Sequence, residues 1–211
     1  MVMMRFFRVP SLKSSTQRHL QRVASILDAQ YLVLDVGCGS GNLPGFLAKN
    51  SVQCIGTDIR VAESFHGIKG MFVHADATKL PFRPEVFGTV VSDELMSHVR
   101  DHLICLREQI RVLRSAGDIL LIDGNLLSPF ILFDLLFLYP IRTGGRRGGL
   151  RWLMKLGKDV VYENYLQGTP QKDEELRSKF YWEGLFNMAG LKNIRFPFTT
   201  ISKTYISATK P

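Results

Sequence analysis

"LVLDVGCGSGNLPGFL", residues 32–47, joins a run of aliphatic residues carrying one carboxylate to three glycines at alternating positions. A short apolar run that ends in glycine reads as a buried strand, and the stretch behind the glycines as the start of a helix. Glycine at such a junction lets the backbone come close to a ligand, where a Cβ would clash. In dinucleotide sites the pattern is GxGxxG, whose third glycine allows the helix to pack tightly around a pyrophosphate. Here Gly37, Gly39 and Gly41 give GxGxG, and Asn42 stands where the third glycine belongs. A dehydrogenase is disfavoured on that ground. The chain also lacks a GxxxxGK[ST] loop, which removes the main support for nucleoside triphosphate chemistry.

Outward from this junction the chain alternates strand and helix patterns. "STQRHLQRVASILDA" (15–29) places Leu20, Val23, Ala24 and Leu27 at helical spacing, with Ser15 or Thr16 as a cap. "NLPGFLAKN" reads as a helix in which Pro44 is tolerable only in the first turn. "VQCIGTDI", "MFVHAD", "FGTVVSDE" and "GDILLIDG" read as further strands, and "HLICLREQIRVLRSA" as a helix between the last two. Such alternation predicts an α/β fold, an open and mostly parallel sheet with helices on both faces. At the far end "FYWEGLFNMAGL" reads as a helix, and "KNIRFPF" and "KTYISATK" as an antiparallel strand pair closing the sheet.

About fifty residues between "LLIDGN" and "RSKFYWEGLF" belong to no strand–helix repeat, and a structureless loop that long is improbable in a compact domain. They are expected to fold as a lid. Its first part, "SPFILFDLLFLYP", has Ser128 as N-cap, Pro129 at the first helical position and Pro140 as a stop. A helix apolar on nearly every side must be buried or lie in something apolar. The chain therefore divides, as one domain of 1–211, into an amino-terminal helical segment (1–30), a ligand-binding core (31–125), the lid (126–176) and a carboxyl-terminal helix and strand pair (177–211).

Composition narrows the partners. With 211 residues, 45% of them hydrophobic, the chain is long enough for one sizeable core. No stretch reaches the roughly 18 uninterrupted apolar residues of a membrane span. The start, "MVMMRFFRVPSLKSS", lacks the apolar block and cleavage site of a secretory signal, so a cytoplasmic location is expected. Cys38, Cys54 and Cys105 form no CxxC pair, so neither a disulfide framework nor a metal site is expected. The net charge of +8 is uneven: residues 1–22 and 142–158 together hold 11 of the 27 basic residues and none of the 19 acids. Such patches attract phosphate-bearing partners, lipid head groups or acidic substrates, or are simply solvated faces.

Carboxylates supply the chemistry. Asp58 ends the second strand, 17 residues after Gly41, where it can accept hydrogen bonds from both hydroxyls of a ribose. Asp76 ends the third strand. In an open α/β sheet the ligand crevice lies beyond the carboxyl ends of the strands, so Asp35, Asp58, Asp76 and Asp93 should converge there.

These segments together, "VLDVGCGSGNL", "IGTDI", "HADATKLPF", "FGTVVSDELMSHVRD" and "REQIRVLRSAGDILLID", resemble the successive motifs of the class I S-adenosylmethionine-dependent methyltransferases. They are most similar to the small-molecule branch, methyltransferase type 11, that includes the quinone-biosynthesis C-methyltransferases. The resemblance covers roughly residues 20–125 and the terminal strands, and implies a Rossmann-like seven-stranded sheet with S-adenosyl-L-methionine as cofactor. By that likeness Gly37, Cys38, Gly39 and Gly41 line the methionine part and ribose, Asp58 holds the ribose hydroxyls, and Ile59 packs on adenine. Asp76 and the Ala77 amide read the adenine edge, while Asp35 and the backbone near Ser92 or Asp93 anchor the amino acid end. Where the family commonly has "KPGG" this chain has "RSAGD", a turn expected to survive the change.

For proton transfer to or from the acceptor the candidates are His98, Asp93 and Glu94 after the fourth strand, and Asp123 with Asn125 after the fifth. Tyr139, Tyr162 and Tyr165 in the lid are further candidates, with packing as the simpler role for each. If the lid lines the acceptor pocket, the acceptor is a small lipophilic or anionic molecule, and residues 126–158 are candidates for a peripheral membrane contact. The competing expectation is that the lid helix completes the core or forms a homodimer contact. A nucleic acid partner is disfavoured because "SDELMSH" stands where base amino-methylation would need (D/N)PP(Y/F). A methyltransferase acting on RNA or protein, and a binding protein without catalysis, are the alternatives.

Overall fold

The structure, a computed structural model, describes residues 15–60, 72–124, 179–199 and 203–211. The expected lid (126–176), the basic residues up to 14 and in 142–158, Asn125, Tyr139, Tyr162 and Tyr165 lie outside the described residues.

The described elements are α1 (Ser15–Ile26), β1 (Val33–Val36), α2 (Asn42–Lys49), β2 (Cys54–Asp58), β3 (Phe72–His74) and β4 (Phe87–Asp93). A 3-10 turn (Met96–His98), α3 (His102–Val112), β5 (Leu113–Gly124), α4 (Lys179–Met188), β6 (Lys192–Thr199) and β7 (Lys203–Thr209) follow. The seven strands form one sheet in the order β3-β2-β1-β4-β5-β7-β6. The first five are mutually parallel, and β7 runs antiparallel between β5 and β6. This is the open Rossmann-like arrangement expected from the sequence, with its reversal of strand order between β1 and β4.

Strand side chains alternate between faces, and two cores follow. Leu34, Val90 and Leu121 meet α3 and α4 through Leu106, Trp182 and Phe186 on one face. Val33, Val91 and Leu120 meet α1 and α2 through Val23, Leu27, Leu43 and Leu47 on the other. Trp182 and Phe186 are fully buried, and burial of side chains of that size contributes roughly 1.5–3 kcal/mol each. Pro44 falls in the first turn of α2, where its missing N–H costs nothing. The Asp101 carboxylate caps α3 by accepting the Ile104 N–H at 2.9 Å.

One boundary differs from the sequence reading. The helix expected to run through "LRSA" stops at Val112, and residues 113–116 belong to β5. Leu113 is fully buried and pairs with Phe87, while Asp118 pairs with Thr89, so the intervening residues bulge opposite Gly88. Strand pairing and burial override the local helix preference. The turn that replaces "KPGG" holds Ala116 at φ 57°, and a Cβ on Gly117 would lie 2.9 Å from the Gly88 carbonyl oxygen. Backbone bonds to Lys210 on both sides, Ala116 N–H to its oxygen at 3.1 Å and its own N–H to Gly117 at 2.9 Å, fasten the bulge.

Among the described residues no helix is long and apolar enough to cross a membrane.

Candidate functional site

The cleft opens at the carboxyl ends of the parallel strands, where the order reverses. Its floor is the glycine loop between β1 and α2. Gly37, Gly39 and Gly41 have φ of 76°, 52° and 77°, a region that side-chain-bearing residues enter only at a cost. A Cβ on Gly37 would lie 2.7 Å from Leu95 Cδ1, whereas one on Gly39 would meet nothing within 4 Å. Gly39 therefore leaves open room above the sheet. The Gly37 and Cys38 N–H groups donate to the Thr57 carbonyl at 2.7 and 2.9 Å, and the Gly39 N–H donates to Asp58 Oδ2 at 2.8 Å. The loop is thus stitched to the end of β2. Gly56 completes the arrangement, since a Cβ there would meet Cys38 Sγ at 2.7 Å and Pro44 Cγ at 3.1 Å. Burial, then the charges of Asp35 and Asp58, push the Cys38 thiol far above its ordinary value. Such a shift favours the thiol over the nucleophilic thiolate.

The cleft has two compartments that share Gly37 and Glu94. One, of about 610 Å³, lies over the tips of β2 and β3. It brings together Asp58, Ile59, Asp76, Ala77 and His98. Asp76 Oδ1 accepts the Thr78 N–H at 2.8 Å and its hydroxyl at 2.7 Å, and these two bonds hold the carboxyl below its usual range. Two large aliphatic side chains, Ile59 and Ile104, stand 61% and 46% exposed on this wall, an apolar face open to a planar ligand. His98 therefore sits on the same side as Asp58 and Asp76.

The other compartment, of about 950 Å³, lies between α1, the glycine loop and β7. Asp35, Asp93, Cys38 and Gly39 line it together with His19, Lys203 and Tyr205. Asp35 is 3% exposed, and among the described residues nothing hydrogen-bonds its carboxylate. Burial, and then Asp93 and Asp58, raise its pKa well above the ordinary value. A buried acid without a donor is costly, and a positive charge beside it would favour its ionised form. Asp93 is the opposite case. Burial pushes its pKa up, but the hydrogen bond from His19 and the charge of Lys203 outweigh it, and the net shift is downward. His19 Nε2 lies 2.5 Å from Asp93 Oδ2, and Lys203 Nζ donates to Oδ1 at 3.0 Å and reaches Glu94 at 3.3 Å. Glu94 itself takes φ 55°, a sparsely populated backbone conformation at the junction of the compartments.

Two remaining candidates sit beneath the cleft. Ser92 is fully buried within β4. Asp123 is buried at the top of β5, its Oδ1 accepting the Gly124 N–H at 2.7 Å, and it lines neither compartment.

Sequence reasoning missed His19, Lys203 and Tyr205. The signal for His19 was present: it stands four residues before Val23 and eight before Leu27, on the edge of the buried stripe of α1. A polar residue on such a stripe needs a partner, but no local pattern says that the partners are on β4 and β7.

Residues 34–121 match the family described as methyltransferase domain. The chain is similar to an uncharacterized methyltransferase of Bacillus subtilis, YcgJ, 33% identical over 104 residues, covering 45% of this chain and 41% of that protein. It is also similar to a demethylmenaquinone methyltransferase of Bacillus licheniformis, 26% identical over 184 residues, covering 79% of this chain and 73% of the relative. It thus spans less than half the length of the first and about three quarters of the second. Among solved structures, a SAM-dependent methyltransferase of Thermotoga maritima shares the fold, with a TM-score of 0.62, 19% identity, and coverage of 93% of this chain and 89% of that one.

Proposed function

Since the chain carries a methyltransferase domain of the class I S-adenosylmethionine-dependent family, we propose that it transfers a methyl group from that cofactor to a small-molecule acceptor. The observation that carries the reading is the pairing of an open glycine cradle at Gly39 with the buried, donor-less carboxylate of Asp35. S-adenosyl-L-methionine supplies an activated methyl group on a sulfonium sulfur, and brings two positive centres toward such an acid. The residues fit its three parts. Asp58 faces the ribose hydroxyls with the lone pairs left over from Gly39 and Arg60. Ile59 and Ile104 offer an apolar wall to adenine, and Asp76 with the Ala77 amide reads its edge. Asp35, with the backbone near Asp93, takes the amino acid end.

With the donor held in this way, the protein's part in catalysis is to align the acceptor with the methyl group and exclude water. The α1–β7 compartment takes the amino acid end on its Asp35 and glycine-loop side and leaves room for the acceptor toward His19, Lys203 and Tyr205. A small lipophilic molecule is supported by the likeness to a demethylmenaquinone methyltransferase and by the apolar sequence of 128–140. The basic residues of 142–158 extend the reading to an anionic head group or membrane surface, which co-sedimentation with anionic vesicles tests.

Calorimetry on the whole chain tests the core of the reading. S-adenosylmethionine and S-adenosylhomocysteine should both bind with micromolar affinity, and NADH should not. Binding of NADH in the absence of either adenosyl compound would overturn it.

A further inference from the structure

Three ionisable side chains from three separate elements form a continuous hydrogen-bonded chain on the acceptor side of the cleft, and cofactor binding gives them no task. His19 of α1 bridges Asp93 of β4 through Nε2 at 2.5 Å and the Tyr205 hydroxyl of β7 through Nδ1 at 2.6 Å. All three line the 950 Å³ compartment.

The direction of the bonds follows from the partners. Lys203 lies 3.0 Å from Asp93 Oδ1 and keeps that carboxyl ionised. An ionised carboxylate can only accept, so His19 donates its Nε2–H to Asp93. In the neutral ring Nδ1 is then the lone-pair nitrogen, and it accepts the Tyr205 hydroxyl proton. Asp93 thereby fixes both the tautomer and the orientation of His19, the positioning role that an acid plays behind a catalytic histidine. Burial keeps Tyr205 protonated at rest, and Arg22 reaches the same hydroxyl. A second polar group there favours transient negative charge on the phenol oxygen.

We propose that Tyr205–His19–Asp93 is a proton-accepting relay, and that the methyl acceptor is a molecule whose reacting atom must lose a proton: an ionisable hydroxyl or an acidic carbon. The inference rests on the methyltransferase reading. In the step the acceptor atom forms a bond to the methyl carbon, and the pair of the broken sulfur–methyl bond stays on sulfur. The acceptor's proton passes to Tyr205 Oη as the phenol's own proton moves to His19 Nδ1. The imidazolium, paired with Asp93, afterwards releases it to solvent. Other charged groups facing the relay are Arg18 and Arg22 from α1, Asp35 from β1, Glu94 just after β4 and Lys203 from β7. The three cations among them favour an acceptor that becomes anionic.

The probe is 4-nitrophenol, whose coloured anion reports its ionisation directly, added to protein saturated with S-adenosylhomocysteine. The wild type should bind it and ionise it at a pH lower than free solution requires by about one unit, a tenfold shift in the equilibrium. Tyr205→Phe and His19→Asn should lose that shift while keeping S-adenosylhomocysteine affinity within about threefold. In nitrogen-15 spectra of the wild type without acceptor, His19 should carry its proton on Nε2, and Asp93→Asn should disturb that tautomer. Failure to bind the phenol, or an ionisation shift that survives both replacements, overturns the relay. Failure of the wild type to bind S-adenosylhomocysteine would instead remove the methyltransferase reading on which it rests.

Discussion

The compartment over β2 and β3 takes its wall from the tips of successive strands and the turn after β4, residues 36–37, 57–60, 75–78 and 94–104. The compartment beside it needs residue 19 to meet residues 93 and 205, with residue 203 on the far side of 93, and the His19–Tyr205 bond spans 186 positions of sequence. In the first, neighbouring strands carry their own acids to a common edge, so the parallel topology does the assembling. In the second, helix α1 has to be laid against one face of the sheet to reach Asp93, and β7 inserted beside β5 to bring Lys203 and Tyr205. A wall of successive strand tips can be written locally, whereas the wall around His19 exists only as tertiary structure.

Removing the acid that serves only the first compartment should separate the two most strongly. Asp58→Ala is expected to weaken S-adenosylmethionine binding by roughly 10- to 100-fold, the scale of losing charge-assisted hydrogen bonds of about 1.5–3 kcal/mol. Calorimetry reads the loss, and the nitrogen-15 signal of His19 should stay where it is. An unchanged affinity would mean that the two halves do not divide the ligands in this way.

Asp35 lines only the α1–β7 compartment, and Asp35→Asn should raise stability while weakening the cofactor. Its pKa is raised in the folded chain by burial. Below the ordinary carboxylate value of about 3.9 it is protonated in both states and costs nothing. As pH rises past that value the unfolded chain gives up the proton while the fold resists, so stability falls until the folded group also ionises. Replacement by Asn should recover about 1–3 kcal/mol at neutral pH, read as a higher denaturant midpoint. A midpoint that drops instead would show that Asp35 is already satisfied without a ligand.

A smaller effect, about 1–2 kcal/mol, is expected from Asp93→Asn, because the pair with Lys203 is partly exposed, at 25% and 21%. The shift of Asp93 is downward, so its contribution is present above about pH 3.9 and lost as pH falls through the folded value. Lys203 is penalised by burial but raised on balance by Asp93 and Glu94, so its contribution is present below about pH 10.4 and lost as pH climbs through the raised value. Urea midpoints measured across that range should show both limbs in the wild type, while the variant loses the acid limb and keeps only the part of the alkaline limb that Glu94 supplies.

The smallest effect serves as the control. Ala116→Gly relieves a left-handed backbone and should add about 0.5–1 kcal/mol. The bulge lies at the opposite end of the sheet, so neither compartment should register the change.

Much of the fold was legible before the structure, because each strand announces itself. "VLDV" and "GDILLID" are apolar, bounded by glycine or turn residues, and buried on both faces, which is why they read as continuous runs. The glycine loop and Asp58 were legible for a related reason: their spacing along the chain is their spacing in the cleft. Ala116 was not, since a bulge is set by what lies opposite, here Gly88. Nor was Gly56, whose need for a bare Cα comes from Cys38 and Pro44. His98 shows the limit from the other side. Its place after the fourth strand made it a candidate for proton transfer, and only the fold shows that it lines the compartment of Asp58 and Asp76.

The place of β7 between β5 and β6 has a further consequence for how the chain reaches this state. Strand β6 emerges from the ribosome first and can rest Ile194 and Phe196 on the α4 core, yet among the described residues its partner in the sheet, β7, is a strand not yet made. During synthesis the donor half can be finished while its companion is still missing Lys203 and Tyr205, so a nascent chain halted just short of them should capture the nucleoside and turn over nothing.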